Sequence, residues 1–292
     1  MSEYQYYEFQ AIDRPLTANE QAEIRKLSSR VQPTPTQAVF VYNYGDFRGS
    51  PEEILATYFD AMLYIANWGS WQLMFRLPKA IAKASLFQPY ELPNAIAIST
   101  TPEYLILNIT INDEPIDGWV EGEGWLSRLL PLRDDLLQGD LRLLYWVWLR
   151  VANALAGYTL DDDPIEPPIP PNLSQLSEPL QAFIEWVEFN PDLVTAATQA
   201  SQTQSIPDDN QSLEAGLLRL SPAEQQEFLL KLVRREPHVD LQLINRLKEL
   251  TASPRSTPQA TPGFRRLSEL TAIADRLSKE REDREQQALK KQ

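Results

Sequence analysis

The chain of 292 residues contains a single histidine, His238, and no cysteine. Thiolate and imidazole groups carry most of the nucleophilic, redox and transition-metal chemistry of proteins. The remaining options are carboxylates, hydroxyls, lysine and arginine, and the sequence lacks the motifs GxxxxGK(S/T), GxGxxG and GxSxG. His238 follows Pro237 between two predicted helices, where an imidazole without a chemical role is the simplest interpretation. This composition favours a protein without catalytic activity.

A polar segment at residues 112–124 is the main candidate for carboxylate chemistry. Its acidic residues are Asp113, Glu114, Asp117, Glu121 and Glu123. Clustered carboxylates can bind Mg²⁺ or Ca²⁺, or act together as an acid and a base. The calcium-loop pattern is absent. A solvated acidic loop is the leading interpretation, and a divalent-metal or catalytic site is the alternative; the sequence assigns no cofactor.

The charge of the chain is strongly acidic and unevenly distributed. The net charge is −14, and such a surface repels phosphate backbones, which argues against nucleic-acid binding. From Arg255 onward nine Lys and Arg residues accompany six Asp and Glu residues, a net charge of +3, so residues 1–254 carry −17. This opposite sign suggests a separate role for the C-terminal segment.

The hydropathy of the chain gives an expectation about its location. The first residues lack the basic and apolar regions of a secretory signal. The most apolar stretch, Leu141–Leu155, is shorter than a membrane span and is interrupted by Arg142 and Arg150. The absence of cysteine fits a reducing compartment. We therefore expect a soluble, cytoplasmic protein without a membrane span.

The first 160 residues alternate between strand and helix patterns. Thr17 and Glu20 form a capping box that predicts a helix to Arg30, and Ser50-Pro51 begins a second helix that ends near Gly69. A short helix is predicted at Ile81–Phe87. Strands are predicted at Tyr4–Ile12, Gln37–Tyr44 and Trp71–Leu77, followed by a hairpin of Ala95–Ser99 and Tyr104–Ile111. This order predicts an α+β fold with a small mixed or antiparallel sheet and helices on one face, and a ferredoxin-like half is one candidate.

The composition divides the chain into five segments. Residues 1–160 form the α+β domain, and residues 161–172 are a linker rich in proline and aspartate. Residues 173–251 form a helical region, in which Ser221-Pro222-Ala223-Glu224 is a clear helix start. Residues 252–263 are a second, disordered linker, and residues 264–292 a charged C-terminal helix.

Two helical segments supply candidate partner-binding residues. The segment that begins at Trp125 is predicted to break at Pro131, and Leu141–Leu155, which follows, is apolar nearly all round and therefore predicted to be buried. Tyr145, Trp146 and Trp148 point in different directions on one helix, so either other helices surround them or one ring faces a partner. In the C-terminal helix, Leu267, Leu270 and Leu277 lie on one face for about two heptads. The expected partner is another protein, or a second copy bound through this helix.

Several segments together resemble an uncharacterised family of bacterial proteins. They include YNYGDFRGSP at 42–51, YFDAMLYIANWG at 58–69 and DDDPIEPPIPPNLSQLSEPL at 161–180. The similarity covers about residues 6–195. The family has no assigned activity, so the resemblance implies no catalytic residue, cofactor or ligand.

The sequence thus favours a non-catalytic interaction or scaffold protein, with a folded recognition domain and a docking or oligomerising C-terminal helix. Two alternatives stay open at this point. One is a carboxylate enzyme that uses a divalent metal at residues 113–123. The other is a module that binds a small molecule or peptide in a cleft between the sheet and the Trp-rich helices.

Overall fold

The computed structural model describes residues 3–112, 121–155, 163–203, 209–251 and 263–289. The first of these ranges forms a sheet with three short α-helices and one 3₁₀ turn at Gln88–Tyr90. In chain order its elements are β1 Gln5–Gln10, α1 Ala18–Arg25, β2 Gln37–Tyr42, α2 Pro51–Tyr58, β3 Ala61–Ala66, β4 Ser70–Pro78, α3 Ala84–Phe87, β5 Ile96–Thr100 and β6 Tyr104–Asn112. The predicted capping box at Thr17 and the Ser50 cap are both present.

The six strands form one antiparallel sheet in the order β2-β1-β3-β4-β6-β5. This arrangement confirms the predicted α+β class with an antiparallel sheet. The helix of a ferredoxin-like half joins two parallel strands. Here α1 joins β1 and β2, which are antiparallel neighbours, so the strand order differs from that candidate.

Both faces of the sheet are covered, whereas the sequence predicted helices on one face. Successive side chains of a strand point to opposite faces. Phe9 and Met62 pack with Leu55 of α2 on one face, while Leu63 and Phe75 belong to a second, larger core on the other. The larger core is covered by the helices that follow β6 in the chain.

The prediction of a helix from Ser50 to Gly69 was wrong in its second half. The helix α2 ends at Tyr58, and the chain turns back as β3 and β4. Five of the six residues of β3 are buried, because β3 lies inside the sheet with a core on each side. A strand buried on both faces reads as a continuous apolar run, which periodicity cannot distinguish from a buried helix.

Three helices follow the sheet, and the third of them places Tyr145, Trp146 and Trp148 in the core. They are α4 Trp125–Leu129, α5 Pro131–Leu137 and α6 Arg142–Leu155, and the predicted break at Pro131 is present. Every residue from Leu143 to Leu149 is buried. The ring of Trp146 meets Phe189 edge-on with their centroids 5.7 Å apart. The prediction that this helix is buried is confirmed.

The remainder of the described chain is largely helical, as predicted. Its elements are α7 Glu178–Trp186, α8 Pro191–Thr198, α9 Asp209–Leu217, α10 Pro222–Val233, α11 Val239–Thr251 and α12 Leu267–Leu289. The capping box at Ser221 is present. Residues 252–262 of the second predicted linker and residues 161 and 162 of the first lie outside the described residues. The domain boundaries stay a prediction.

Residues 163–172 do not act as a free spacer. Glu166 and Ile169 are buried, and the hydroxyl of Tyr90 donates to the carbonyl oxygen of Pro168 at 2.6 Å. Ile165 forms a β-bridge with Arg266. The larger core therefore continues from the sheet through α7 and α8 to the start of α12.

A buried carboxylate holds this segment against α12. Glu166 accepts hydrogen bonds from the Tyr145 hydroxyl and from the Arg265 guanidinium, whose Nη2 lies 2.6 Å from Oε1. Burial and the charge of Glu166 raise the pKa of Tyr145, so the phenol stays a donor. Arg265 also donates to the carbonyl oxygens of Ala196 and Ala197 at the end of α8. The guanidinium of Arg265 thus joins the start of α12 to the end of α8 and to the segment that contains Glu166.

We predict that Arg265→Ala lowers the free energy of unfolding by about 3 kcal/mol, because it leaves the carboxylate of Glu166 buried without its positive partner. Urea unfolding measures the change. Arg266→Ala is the matched control, since it removes the same charge at an exposed neighbouring position and is expected to cost less than about 0.5 kcal/mol. Equal effects of the two substitutions would contradict this role of Glu166.

Candidate functional site

All six predicted partner-binding residues contact the core of the chain itself. Tyr145, Trp146, Trp148, Leu267 and Leu270 are buried, and the half-buried Leu277 packs against the same core. The aromatic side chains are surrounded by other helices and the sheet, which is one of the two arrangements that the sequence left open. Binding of a partner through these residues stays a prediction.

The acidic segment is only partly described. Asp113, Glu114 and Asp117 lie outside the described residues, whereas Glu121 and Glu123 are exposed. In the part of the chain that the structure describes, no three acidic, histidine or cysteine side chains are placed to hold a metal ion. Gly122 lies on the ring of Tyr6, where a Cβ atom would come within 2.3 Å of ring carbons. Close packing explains this glycine.

The space between the sheet and the Trp-rich helices is filled by side chains. The rings of Trp71 on β4 and Trp186 on α7 have centroids 6.1 Å apart, and Phe183 packs beside Trp186. Trp71, Phe183 and Trp186 are all buried. This geometry does not favour the predicted ligand cleft in that place.

The structure gives His238 a partner that the sequence did not reveal. Its Nε2 lies 3.1 Å from Oδ2 of Asp13, which follows β1. Nη2 of Arg133 on α5 lies 2.7 Å from the same oxygen. His238 has a φ of 60°, a left-handed conformation that is uncommon for residues other than glycine. No local motif signals this contact, because Asp13 and His238 are 225 residues apart in the sequence.

The contact extends inward as a network of buried charges. Asp60 is fully buried and accepts hydrogen bonds from the backbone N–H groups of Ile12 and Asp13 at 2.7 and 2.9 Å. Its Oδ1 also accepts from Nη2 of Arg76 at 2.7 Å and lies 3.8 Å from Arg133. Two carboxylates therefore face two guanidinium groups, and His238 lies at the outer end.

The network opens into a cleft of about 230 Å³ between the end of β1, α5 and the start of α11. Its lining residues are Ile12, Asp13, Arg133, Asp134, Pro237, His238, Asp240 and Leu241. Burial favours the neutral acid at Asp13, but the hydrogen bond from His238 and the charge of Arg133 outweigh it and lower its pKa to about 2. A pKa this low leaves Asp13 ionised at neutral pH. The lining contains no hydroxyl, amine or thiol that His238 could activate as a nucleophile.

The cleft is best described as a polar junction that holds α11 on the sheet. Asn245 donates from Nδ2 to the carbonyl oxygen of Leu137 at 3.1 Å. Lys248 donates from Nζ to Oε1 of Gln138, also at 3.1 Å. Together with the His238–Asp13 contact, these bonds attach α11 along α5. Because α9 and α10 pack on α11, the polar junction places all three helices.

The helix α10 is turned with its apolar side outward. None of its residues is buried, and four aliphatic side chains are 45–81% exposed: Leu229, Leu230, Leu232 and Val233. These four residues are called the α10 outer face. On the opposite side, Glu224 pairs with Arg246 of α11, with Nη2 and Oε1 2.7 Å apart.

The end of α9 also exposes leucine side chains. Leu217 and the adjoining Leu218 are 45% and 88% exposed. Gln225, one turn before Leu229, donates from Nε2 to the carbonyl oxygen of Leu217 at 3.5 Å and of Leu220 at 3.2 Å. The sequence predicted the helix α10 but not that its apolar side faces outward, because an apolar stripe normally faces the core.

Comparisons with protein-family models, with curated proteins and with solved structures found no match. The resemblance to an uncharacterised bacterial family therefore stays an expectation. Among the described helices, none combines the length and the apolar character that a membrane span requires.

We predict that Asp13→Asn lowers the free energy of unfolding at pH 5 and that most of this difference from the unchanged chain is gone near pH 2. A carboxylate whose pKa falls from 3.8 to about 2 on folding contributes roughly 2 kcal/mol above the unfolded pKa, and the contribution is lost as the pH falls through the folded value. Urea unfolding at both pH values measures it. Asp134→Asn, at an exposed position beside the cleft, is the control, and a loss independent of pH would contradict the ion pair.

Proposed function

We propose that this chain is a non-catalytic interaction protein that binds a partner through the α10 outer face. The observation that carries the proposal is the exposure of four adjacent aliphatic side chains on one side of a helix. Single exposed leucines are ordinary on protein surfaces. Contiguous apolar patches mark sites of interaction.

The orientation of α10 supports binding as the purpose of this face. Leu229, Leu232 and Val233 follow the spacing of i, i+3 and i+4, so one partner surface can contact all three. The polar side of the helix is already paired, through Glu224 and Arg246. Turning the apolar side inward would break that pair, so the exposed arrangement belongs to the fold.

The charges beside the α10 outer face indicate the chemistry of the partner. Arg234 and Arg235 follow the last residue of α10 and are exposed. Nη1 of Arg234 lies 3.9 Å from Oε1 of Glu236. These two guanidinium groups place positive charge beside the α10 outer face, although the chain as a whole has a net charge of −14. An amphipathic helix with an apolar face and acidic flanks fits this surface.

The polar junction supports a role without catalysis. His238 is the sole imidazole of the chain, and its ring is paired with a carboxylate that has no adjacent nucleophile. The predicted use of Leu267, Leu270 and Leu277 for docking requires that α12 leave the core, whereas the α10 outer face is accessible in the folded chain. On its composition, we place the protein in the cytoplasm.

We predict that the full chain binds a synthetic amphipathic helix with leucines on one face and glutamates on both flanks. The same peptide with lysine flanks should bind at least about tenfold more weakly, because it repels Arg234 and Arg235. The double substitution Leu229→Glu and Val233→Glu should abolish binding, since it places charges in the apolar contact. Isothermal titration calorimetry measures the affinities.

Leu86→Glu is the matched control for this experiment. Leu86 is a single exposed leucine on α3, so its replacement adds charge without touching the α10 outer face. Its binding should equal that of the unchanged chain. Equal affinity for both peptides, or binding that survives the double substitution, would contradict the proposal.

A further inference from the structure

The strand β2 is an edge strand of the sheet, and some of its backbone N–H and C=O groups point away from β1. Gln37 accepts from the N–H of Thr34 at 2.8 Å, and its own N–H donates to Oγ1 of Thr34 at 2.9 Å. Gln37 therefore faces away from β1. In an antiparallel ladder alternate residues face the same neighbour, so the N–H and C=O groups of Val39 and Val41 also point outward. Among the described strands, β2 pairs with β1 alone.

Within β2 this edge has neither the charged side chains nor the prolines that often prevent pairing between strands. Edge strands are protected by charged side chains, prolines, bulges or covering segments. Residues 31–45 contain no charged residue, and the prolines Pro33 and Pro35 precede the strand. The opposite edge of the sheet differs, because Leu92 forms a bridge with Ile96 at the start of β5.

We propose that two copies of this chain pair antiparallel through β2 and form one continuous sheet. Identical antiparallel strands related by a two-fold axis are self-complementary, since each donor meets the acceptor of its counterpart. The charge of the chain bears on where two copies can approach one another. Two bodies that each carry −14 repel one another over most of their surfaces, whereas an uncharged edge permits close approach.

The contacts of Thr34 define the register of the pair. Because Gln37 is already bonded to Thr34, the outward groups at Val39 and Val41 are those available within the strand. A two-fold axis at Phe40 sets Val39 opposite Val41 of the second copy and allows four N–H···O bonds. Val41 is 41% exposed and lies on the same face as Val39, so valine side chains also pack across the junction.

This pairing is independent of the α10 outer face and of the proposed partner helix. The two surfaces lie on different elements, and a substitution in one leaves the other unchanged. Failure of the dimer would therefore leave the proposed function standing, and failure of peptide binding would leave the dimer standing.

Sedimentation velocity of the full chain over a range of concentrations tests the pairing. We expect a reversible dimer that Val41→Pro weakens at least about tenfold, because the substitution removes one outward N–H from each copy. The ladder between β1 and β2 does not use that N–H, so the monomer should stay folded. Val41→Thr keeps both the N–H and the branched shape and should dimerise within about twofold of the unchanged chain.

Hydrogen exchange and a second variant complete the test. The amides of Val39 and Val41 should become protected as the concentration rises. Val41→Lys should abolish the dimer, because it places one lysine of each copy beside the two-fold axis at Phe40, where the like charges repel. This variant replaces Val41→Pro if circular dichroism shows that the proline variant is unfolded. A monomer at every concentration would overturn the inference. A dimer that persists in the lysine variant would also overturn it, and so would a dimer that is lost in the Leu229→Glu and Val233→Glu variant. Binding of an isolated peptide of residues 37–43 by a chain that stays monomeric would overturn it as well.

Discussion

The carboxylate of Asp60 lies where β1, α2, β4 and α5 meet, and it is fully buried. It accepts the backbone N–H groups that follow β1 and the guanidinium of Arg76 on β4, while Arg76 also donates to the carbonyl oxygen of Ala56 in α2. Arg133 brings α5 to the same point by donating to the carbonyl oxygen of Arg76. A buried carboxylate is tolerable only with such partners, and removal of one typically costs about 3–5 kcal/mol. The relative placement of these elements thus depends on one charge.

The same network determines how the helical region is attached. Arg133 holds Asp13, and Asp13 holds His238 at the start of α11. Since α9 and α10 pack on α11, the polar junction places these helices, and the Glu224–Arg246 pair turns one side of α10 towards α11. The paired side of α10 contains Glu224, and its free side is aliphatic. A stabilising network in the core thereby presents an apolar surface that is available for binding.

The sequence predicted the features that depend on neighbouring residues, such as helix starts, and missed the contacts between residues that are distant in the chain. The caps at Thr17, Ser50 and Ser221 are local hydrogen bonds, so their residue patterns identified three helix starts. The strand β3 was read as helix because cores on both faces hide its alternation. The His238–Asp13 contact and the outward turn of α10 result from tertiary packing, which leaves no periodic signal. Four aliphatic residues in a helix indicate an apolar face but not what covers it.

Hydrogen exchange measured by mass spectrometry on His238→Asn tests most directly whether the polar junction holds α9–α11 in place. Asparagine tolerates the left-handed backbone at this position, so the substitution removes the imidazole without adding strain. We expect faster exchange in the amides of α11 and of the helices packed on it, with the protection of β3 and β4 unchanged. Unchanged exchange in α11, or an equal increase throughout the sheet, would contradict the account.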